Sequence, residues 1–229
     1  MADAIAGSTR ADVLHIASQL KGYSTSNASD ALDRLRIKGG LQGLLPIVDN
    51  VRICGPAFTV RWLPAEQEAR KPWKTYIDHA MAGDVLVIDN GGRMNCTVWG
   101  DLLSRRAIEI GIQGTVLDGV CRDVKEIRSM NYPVFSRGRF MMTGKDRLQL
   151  DSFNAPVTVS DVLVSPGDFI LADDNGVVCI PKRRAGEVLT ALEEISDRES
   201  KIMDAVKQGK QLADAREQFG YGELQRPRE

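Results

Sequence analysis

Asp101, Arg122 and Asp123 place two carboxylates and a guanidinium within residues 91–138, where an acidic helix start, a buried strand and an Arg-Asp turn could bring them together. A carboxylate such as Asp123 is a hard oxygen ligand suited to Mg²⁺ or Mn²⁺. Arg122 offers a planar fork that holds a substrate carboxylate bidentately. A divalent ion set between the carboxylate and carbonyl oxygens of a 2-oxo acid would act as a Lewis acid, stabilising the enolate formed on C–C cleavage. Asp101 could then bind a water on that metal. The plain structural alternative is a salt bridge between Arg122 and an acidic neighbour that pins the turn.

Local pattern places these groups. Trp99, Leu102, Leu103, Ala107 and Ile110 recur at spacings of three and four, which predicts an amphipathic helix ending at Gly111 with Asp101 in its first turn. With Gly100 as N-cap, the amides of Asp101, Leu102 and Leu103 lack intrahelical acceptors and offer a site for a carboxylate or phosphate. Gly91 and Gly92 upstream would let backbone approach that ligand. Thr115, Val116 and Leu117 read as a buried strand with Asp118-Gly119 at its exit. Asp123 to Glu126 then opens a short helix, with Ile127 and Met130 as its apolar side and Asn131-Tyr132-Pro133 as its stop. Both acidic turns are expected to face one crevice at the ends of the strands.

The order Asp101, twenty residues, Arg122-Asp123, two residues, Glu126 resembles the signature of class II pyruvate aldolases of the 4-hydroxy-4-methyl-2-oxoglutarate / 4-carboxy-4-hydroxy-2-oxoadipate aldolase family. The stretches NASDALDRL from Asn27, GPAFTV from Gly55, GDVLVID from Gly83, WGDLL from Trp99, PVF from Pro133 and PGD from Pro166 also resemble that family's blocks. The resemblance covers about residues 10–205. The same superfamily contains the RraA proteins, inhibitors of ribonuclease E, and members once labelled demethylmenaquinone methyltransferases.

The resemblance implies an α/β chain with the swivelling β/β/α fold related to phosphohistidine domains, assembled as a homotrimer or homohexamer. It implies a metal on Asp123, metal-bound water on Asp101, and pyruvate held by Arg122 with the amides of Leu102 and Leu103. Oxaloacetate decarboxylation is implied as a companion activity. In that family a glutamate from a neighbouring subunit's C-terminal helix also reaches the site. Two other readings stay open: an RraA-like regulator that binds a ribonuclease, and a metal-dependent lyase or hydratase acting on another sugar-derived acid.

Composition bounds the rest. The 229 residues are 43% hydrophobic, enough to bury a substantial core, and 30 basic against 31 acidic residues leave no basic footprint for nucleic acid or an anionic membrane. Cys54, Cys96, Cys121 and Cys179 lack C-x-x-C spacing, and only His15 and His79 are present, so zinc is not expected. Cys121 beside Arg122 reads as a space-filling residue rather than a thiolate nucleophile. No G-x-G-x-x-G or Walker A pattern argues for a nucleotide. No apolar leader or span is present, which predicts a cytoplasmic protein.

Along the chain, residues 10–21 and 27–35 read as helices, the second carrying Asp30 and Asp33 on a solvated face. Residues 51–62 read as a strand broken by Gly55-Pro56. Residues 64–74 form a charged segment in which Arg70, Lys71 or Lys74 could meet an acidic substrate. A helix follows at 76–81 and a strand at 85–88. Short strands are expected at 139–143, 157–159, 162–164, 169–172 and 177–180, with Asp173 and Asp174 forming an Asx-type turn. The last helix, about 185–208, keeps Ala185, Val188, Leu192, Ile195, Ile202 and Val206 at three-four spacing, and Glu199 falls on that seam. Either its stem snorkels to water, or it is the intersubunit glutamate; Glu193 and Glu194 fit that role less well. Residues 1–210 are read as one domain and 211–229 as a loose polar tail.

Overall fold

The computed structural model describes residues 9–65 and 76–223, so Arg70, Lys71 and Lys74 lie outside the described residues. The backbone of the fold is one long strand that serves two sheets. Strand β2 (Ile53–Pro64), which follows the two-residue β1 (Leu45–Pro46), is buried along most of its length. Its first part, from Ile53 to Pro56, pairs antiparallel with β9 (Phe169–Asp173), which continues to β10 (Gly176–Ile180). From Ala57 to Arg61 it runs parallel to β3 (Val85–Arg93). The Gly55-Pro56 step is therefore not the predicted break in the strand. It is where the strand passes from one sheet to the other. Pro56 has no N–H to donate, and a Cβ on Gly55 would collide with the carbonyl oxygen of Gly83.

Beyond β3 the sheet continues in parallel with β4 (Gly114–Cys121) and β5 (Val134–Arg139), and β1 closes that edge. Helix α3 (Asp101–Ile110) connects β3 to β4, and α4 (Val124–Ser129) connects β4 to β5. These are the crossovers that parallel pairing requires. β4 is buried at every position, as the continuous β-branched run implied. Helix α3 ends where Gly111 turns left-handed at φ 85°, a conformation that suits glycine.

A second apolar layer covers the β9–β10 side. There α1 (Arg10–Leu20), α2 (Thr25–Arg34) and the 23-residue α5 (Ala185–Lys207) pack Val13, Ala17, Leu20, Ala28, Leu32, Val188, Leu192 and Ile195 against Phe169, Leu171, Val178 and Ile180. Each leucine- or isoleucine-sized side chain so buried contributes about 1.5–3 kcal/mol. Helix α2 starts earlier than expected because Ser24 caps it, its Oγ accepting from Asn27 N–H at 3.1 Å.

Three local expectations are corrected. Residues 140–147 leave β5 as an irregular loop rather than a strand, and the strand lies later, at β6 (Leu148–Phe153), antiparallel to the second half of β2. The helix expected at 76–81 is one 3₁₀ turn, Ile77–His79. The segment read as a loose tail carries α6 (Leu212–Gln218), held through buried Ala215. The short strands expected at 157–159 and 162–164 form as β7 (Val157–Val159) and β8 (Val162–Val164), which pair with each other antiparallel. Among the described residues no helix is long and apolar enough to cross a membrane.

Candidate active site

Arg122 and Asp123 leave the C-terminal end of β4, and the first turn of α3 lies against them. The two segments open a cleft of about 310 Å³ lined by Thr97, Val98, Trp99, Gly100, Asp101, Leu102, Leu103, Arg122, Asp123, Thr143 and Lys145. The strand-end crevice expected from sequence thus contains both Asp101 and the Arg122-Asp123 turn. It does not contain Gly91 and Gly92. Gly92 lies instead by Arg137 and Asp118, which form a partly buried ion pair of their own.

Asp123 adopts a left-handed conformation, φ 56° and ψ 38°, which an aspartate tolerates better than most residues. It stands at the N-cap of α4 without capping it. Instead its Oδ2 turns to the cleft side, where Arg122 Nε lies 3.2 Å away and the Asp101 N–H 3.3 Å away. The salt bridge weighed as the structural alternative is therefore present, but it uses one guanidinium nitrogen and one carboxylate oxygen. Asp123 Oδ1 and the two terminal nitrogens of Arg122 have no partner among the described residues. Both side chains are partly exposed, Arg122 at 39% and Asp123 at 32%, so they remain available to a ligand.

The start of α3 completes the wall. Gly100 caps the helix in an extended conformation with no side-chain acceptor, and the first-turn amides of Leu102 and Leu103 have no helical carbonyl to meet. They carry the positive end of the helix dipole into the cleft. Asp101, which lines the cleft, sits 3.8 Å from Arg105 one turn further along α3. Glu126 lies in the first turn of α4 and does not line the cleft.

Thr97, Thr143 and Lys145 were missed by sequence reasoning. The bridge between Thr97 and Thr143 brings the 140–147 loop to the cleft, with Thr97 N–H bonded to Met142 O at 2.9 Å and Gly144 N–H to Thr97 O at 2.7 Å. Lys145 thereby joins Arg122 as a second cation in the same cavity as two carboxylates. Cys121, directly before Arg122, is fully buried; burial pushes its thiol up, outweighing a weak hydrogen bond from Ser136. It is a packing residue.

Glu199 is the predicted residue that the fold of one chain does not bring to the cleft. It lies half-buried on α5, and its Oε2 accepts a 2.6 Å hydrogen bond from Asn27 Nδ2 on α2. Of the weaker candidates, Glu194 pairs with Arg34 at 2.5 Å, and Glu193 is exposed.

As a donor set the cleft is all oxygen. Among the described residues no group of three or more His, Cys, Asp and Glu side chains forms a metal cage. Two carboxylates in an open cleft nevertheless fit Mg²⁺ or Mn²⁺, which bind through one or two carboxylates and fill their shell with water and substrate oxygens.

A family model described as RraA-like, Aldolase/RraA, matches residues 25–179. The chain belongs to this family. Among its relatives, protein DlpA of Legionella pneumophila is 42% identical over 205 residues, 89% of this chain; the chain spans only 33% of the length of DlpA. A Halalkalibacterium halodurans protein named as a putative 4-hydroxy-4-methyl-2-oxoglutarate aldolase is 33% identical, over 75% of this chain and 79% of that protein. An uncharacterized protein from Pseudomonas syringae pv. tomato has the same fold in its crystal structure, with TM-score 0.82 and 39% identity over 88% of this chain and 96% of that one. Streptomyces coelicolor RraAS2, described as an unusual member of the RNase ES inhibitor RraA protein family, follows with TM-score 0.73 and 27% identity, over 81% and 94% of the two chains. The mixed α/β architecture is thus an RraA-like fold.

Proposed function

We propose that this chain is a divalent-metal-dependent class II pyruvate aldolase that cleaves 4-hydroxy-2-oxo acids to pyruvate and also decarboxylates oxaloacetate. The observation that carries this reading is the convergence of Asp101, Arg122, Asp123 and the uncapped start of α3 on one cleft. The relatives named as putative aldolases support it.

In this reading Asp123 holds Mg²⁺ or Mn²⁺, which supplies Lewis-acid stabilisation of negative charge on the substrate's 2-oxo oxygen. The free fork of Arg122 binds the pyruvyl oxygens, and the amides of Leu102 and Leu103 hold the carboxylate. In retro-aldol cleavage the 4-hydroxyl loses its proton and becomes a carbonyl, the C3–C4 bond breaks, and its electron pair passes into the pyruvate enolate. Asp101, acting through a water, takes that proton and returns one to C3. In oxaloacetate the same bond breaks with loss of CO₂, and only the reprotonation of C3 is needed. Lys145, in the same cleft, is assigned to the distal carboxylate that a 4-hydroxy-2-oxo diacid carries beyond C4. Glu199 of a neighbouring copy in a homotrimer or homohexamer would add a further carboxylate; within one chain it is engaged by Asn27.

The likeness to RraAS2 favours a second reading, a regulator that binds a ribonuclease. Pyruvate release from oxaloacetate by purified protein, with Mg²⁺, Mn²⁺ or EDTA, separates the two. Metal-dependent release that is lost in Asp123→Asn and Arg122→Ala supports the aldolase. Release no faster than with metal alone removes it, and inhibition of ribonuclease E by the protein would then establish the regulator.

A further inference from the structure

A directed line of hydrogen bonds runs from the core to the Asp123 carboxylate. Trp99 is 1% exposed, stacked on Tyr132 with ring centroids 6.2 Å apart, and its Nε1–H donates to Ser104 Oγ at 3.0 Å. An indole N–H can only donate, so the Ser104 oxygen accepts and its own proton points onward. That proton goes to the carbonyl oxygen of Gly100 at 2.9 Å. The Gly100–Asp101 peptide is planar and trans, so fixing its C=O fixes the opposite direction of its N–H. That N–H belongs to Asp101 and meets Asp123 Oδ2 at 3.3 Å.

Ordinary helix capping does not account for this arrangement. A Ser, Thr, Asp or Asn at position 100 would cap α3 and stabilise it by about 1 kcal/mol. A side chain there would displace the Asp123 carboxylate, because a Cβ on Gly100 would run into its Oδ2. Ser104 instead reaches back from one turn inside the helix, fully buried and held by the indole. The peptide on the other side is fixed as well: Thr97 Oγ1 accepts from Trp99 N–H and donates to Trp99 O, both at 3.0 Å.

We infer that Trp99 and Ser104 are positioning residues that orient the Asp123 carboxylate for a divalent cation through the Gly100–Asp101 peptide. The inference rests on the reading of Asp123 as the metal ligand. Partners one step removed from a metal hold its ligand's direction, and their loss typically weakens metal affinity 10- to 100-fold. Hydrogen bonds in series also polarise one another, so charge arriving at Asp123 is felt at the indole N–H.

The test is Mn²⁺ affinity of the full chain, read from the electron paramagnetic resonance of free Mn²⁺, for wild type, Ser104→Ala, Ser104→Thr, Trp99→Phe and Asp123→Asn. Ser104→Ala is expected to bind Mn²⁺ about tenfold more weakly. Ser104→Thr, which keeps the hydroxyl, restores most of the affinity, and Trp99→Phe falls between. Wild-type affinity in Ser104→Ala overturns the inference. A second measurement holds even if Ser104→Ala does not fold. In ¹H–¹⁵N spectra of the wild type, the Trp99 indole resonance, assigned by its absence in Trp99→Phe, should move on Mg²⁺ addition; a resonance that stays still overturns the inference. A wild type that binds no Mn²⁺, or an Asp123→Asn protein that binds as tightly, refutes the metal-ligand reading itself and the inference with it.

Discussion

The Asp123 carboxylate lies against the Cα of Gly100, in the space that a Cβ at that position would fill. Gly100 has φ −161° and ψ −163°, extended backbone open to any residue, so conformation does not demand a glycine there. The demand is steric, and it comes from the carboxylate. Gly100→Ala must move Asp123, the α3 start, or both. Displacement of a reacting group by about 1 Å can cost on the order of 10²-fold in rate. Metal-dependent pyruvate release by Gly100→Ala is expected to fall by about that factor, with the thermal midpoint measured alongside to show that the fold persists. A variant that kept the wild-type rate would mean that the position of Asp123 is not critical.

Lys145 yields a prediction that separates binding from chemistry. It enters the cleft from the 140–147 loop, and no ion pair engages it among the described residues. A cation that meets only the distal part of the substrate contributes equally to ground state and transition state. Lys145→Met is therefore expected to raise KM for 4-hydroxy-4-methyl-2-oxoglutarate, whose distal carboxylate does not react, about tenfold (~1.4 kcal/mol), with kcat little changed. Steady-state kinetics on both proteins decide it. A fall in kcat at constant KM would place Lys145 in the proton transfers instead.

The site's parts were unevenly legible in the sequence. Asp101, Arg122 and Asp123 could be placed together because each sits at the end of an element with a clear pattern, the amphipathic α3 and the wholly buried β4. Lys145 and Thr143 could not, because the loop that carries them has no period and is fixed by a bridge to Thr97. Glu199 was visible as a carboxylate on an apolar seam, but its partner Asn27 is 172 residues away and nothing local announces it. Helix α6 was missed because Ala215 is its one buried residue, and a single apolar point makes no pattern. The Gly55-Pro56 step suggested an interruption, and the structure has a change of sheet there because only the pairing partner switches.

The four cysteines are all buried, and burial pushes the Cys54 thiol up to about 12 and raises Cys121 and Cys179 as well. A higher pKa leaves less thiolate at neutral pH, and the thiolate is the reactive form. The native protein is expected to react slowly with a disulfide reagent at pH 8 and to titrate four thiols once unfolded. Rapid native labelling at Cys121, located by mass spectrometry, would contradict its assignment as packing and reopen the thiolate reading.

Asp173 gives the fold a defined acid limit. Burial alone would raise its pKa, but hydrogen bonds from Thr25 Oγ1 at 2.6 Å, Thr25 N–H at 2.9 Å and Asn175 N–H at 3.0 Å together outweigh it and hold the carboxyl below the usual carboxylate range. The bond to Asn175 is the expected Asx turn; the bonds to Thr25 tie that turn to the start of α2. A carboxyl whose folded pKa is depressed contributes stability that is fully present above its unfolded value of about 3.9. The contribution shrinks as the pH falls below that value and is gone once the pH passes the lower folded value. Urea unfolding of wild type and Asp173→Asn should therefore differ by a constant amount, about 1–3 kcal/mol, from pH 7 down to about 4. The difference should narrow below pH 4. Thr25→Ala removes one of the lowering bonds and should shift the narrowing to higher pH. A difference between wild type and Asp173→Asn that stayed constant down to pH 2.5 would show that the Asp173 charge is not what secures the turn.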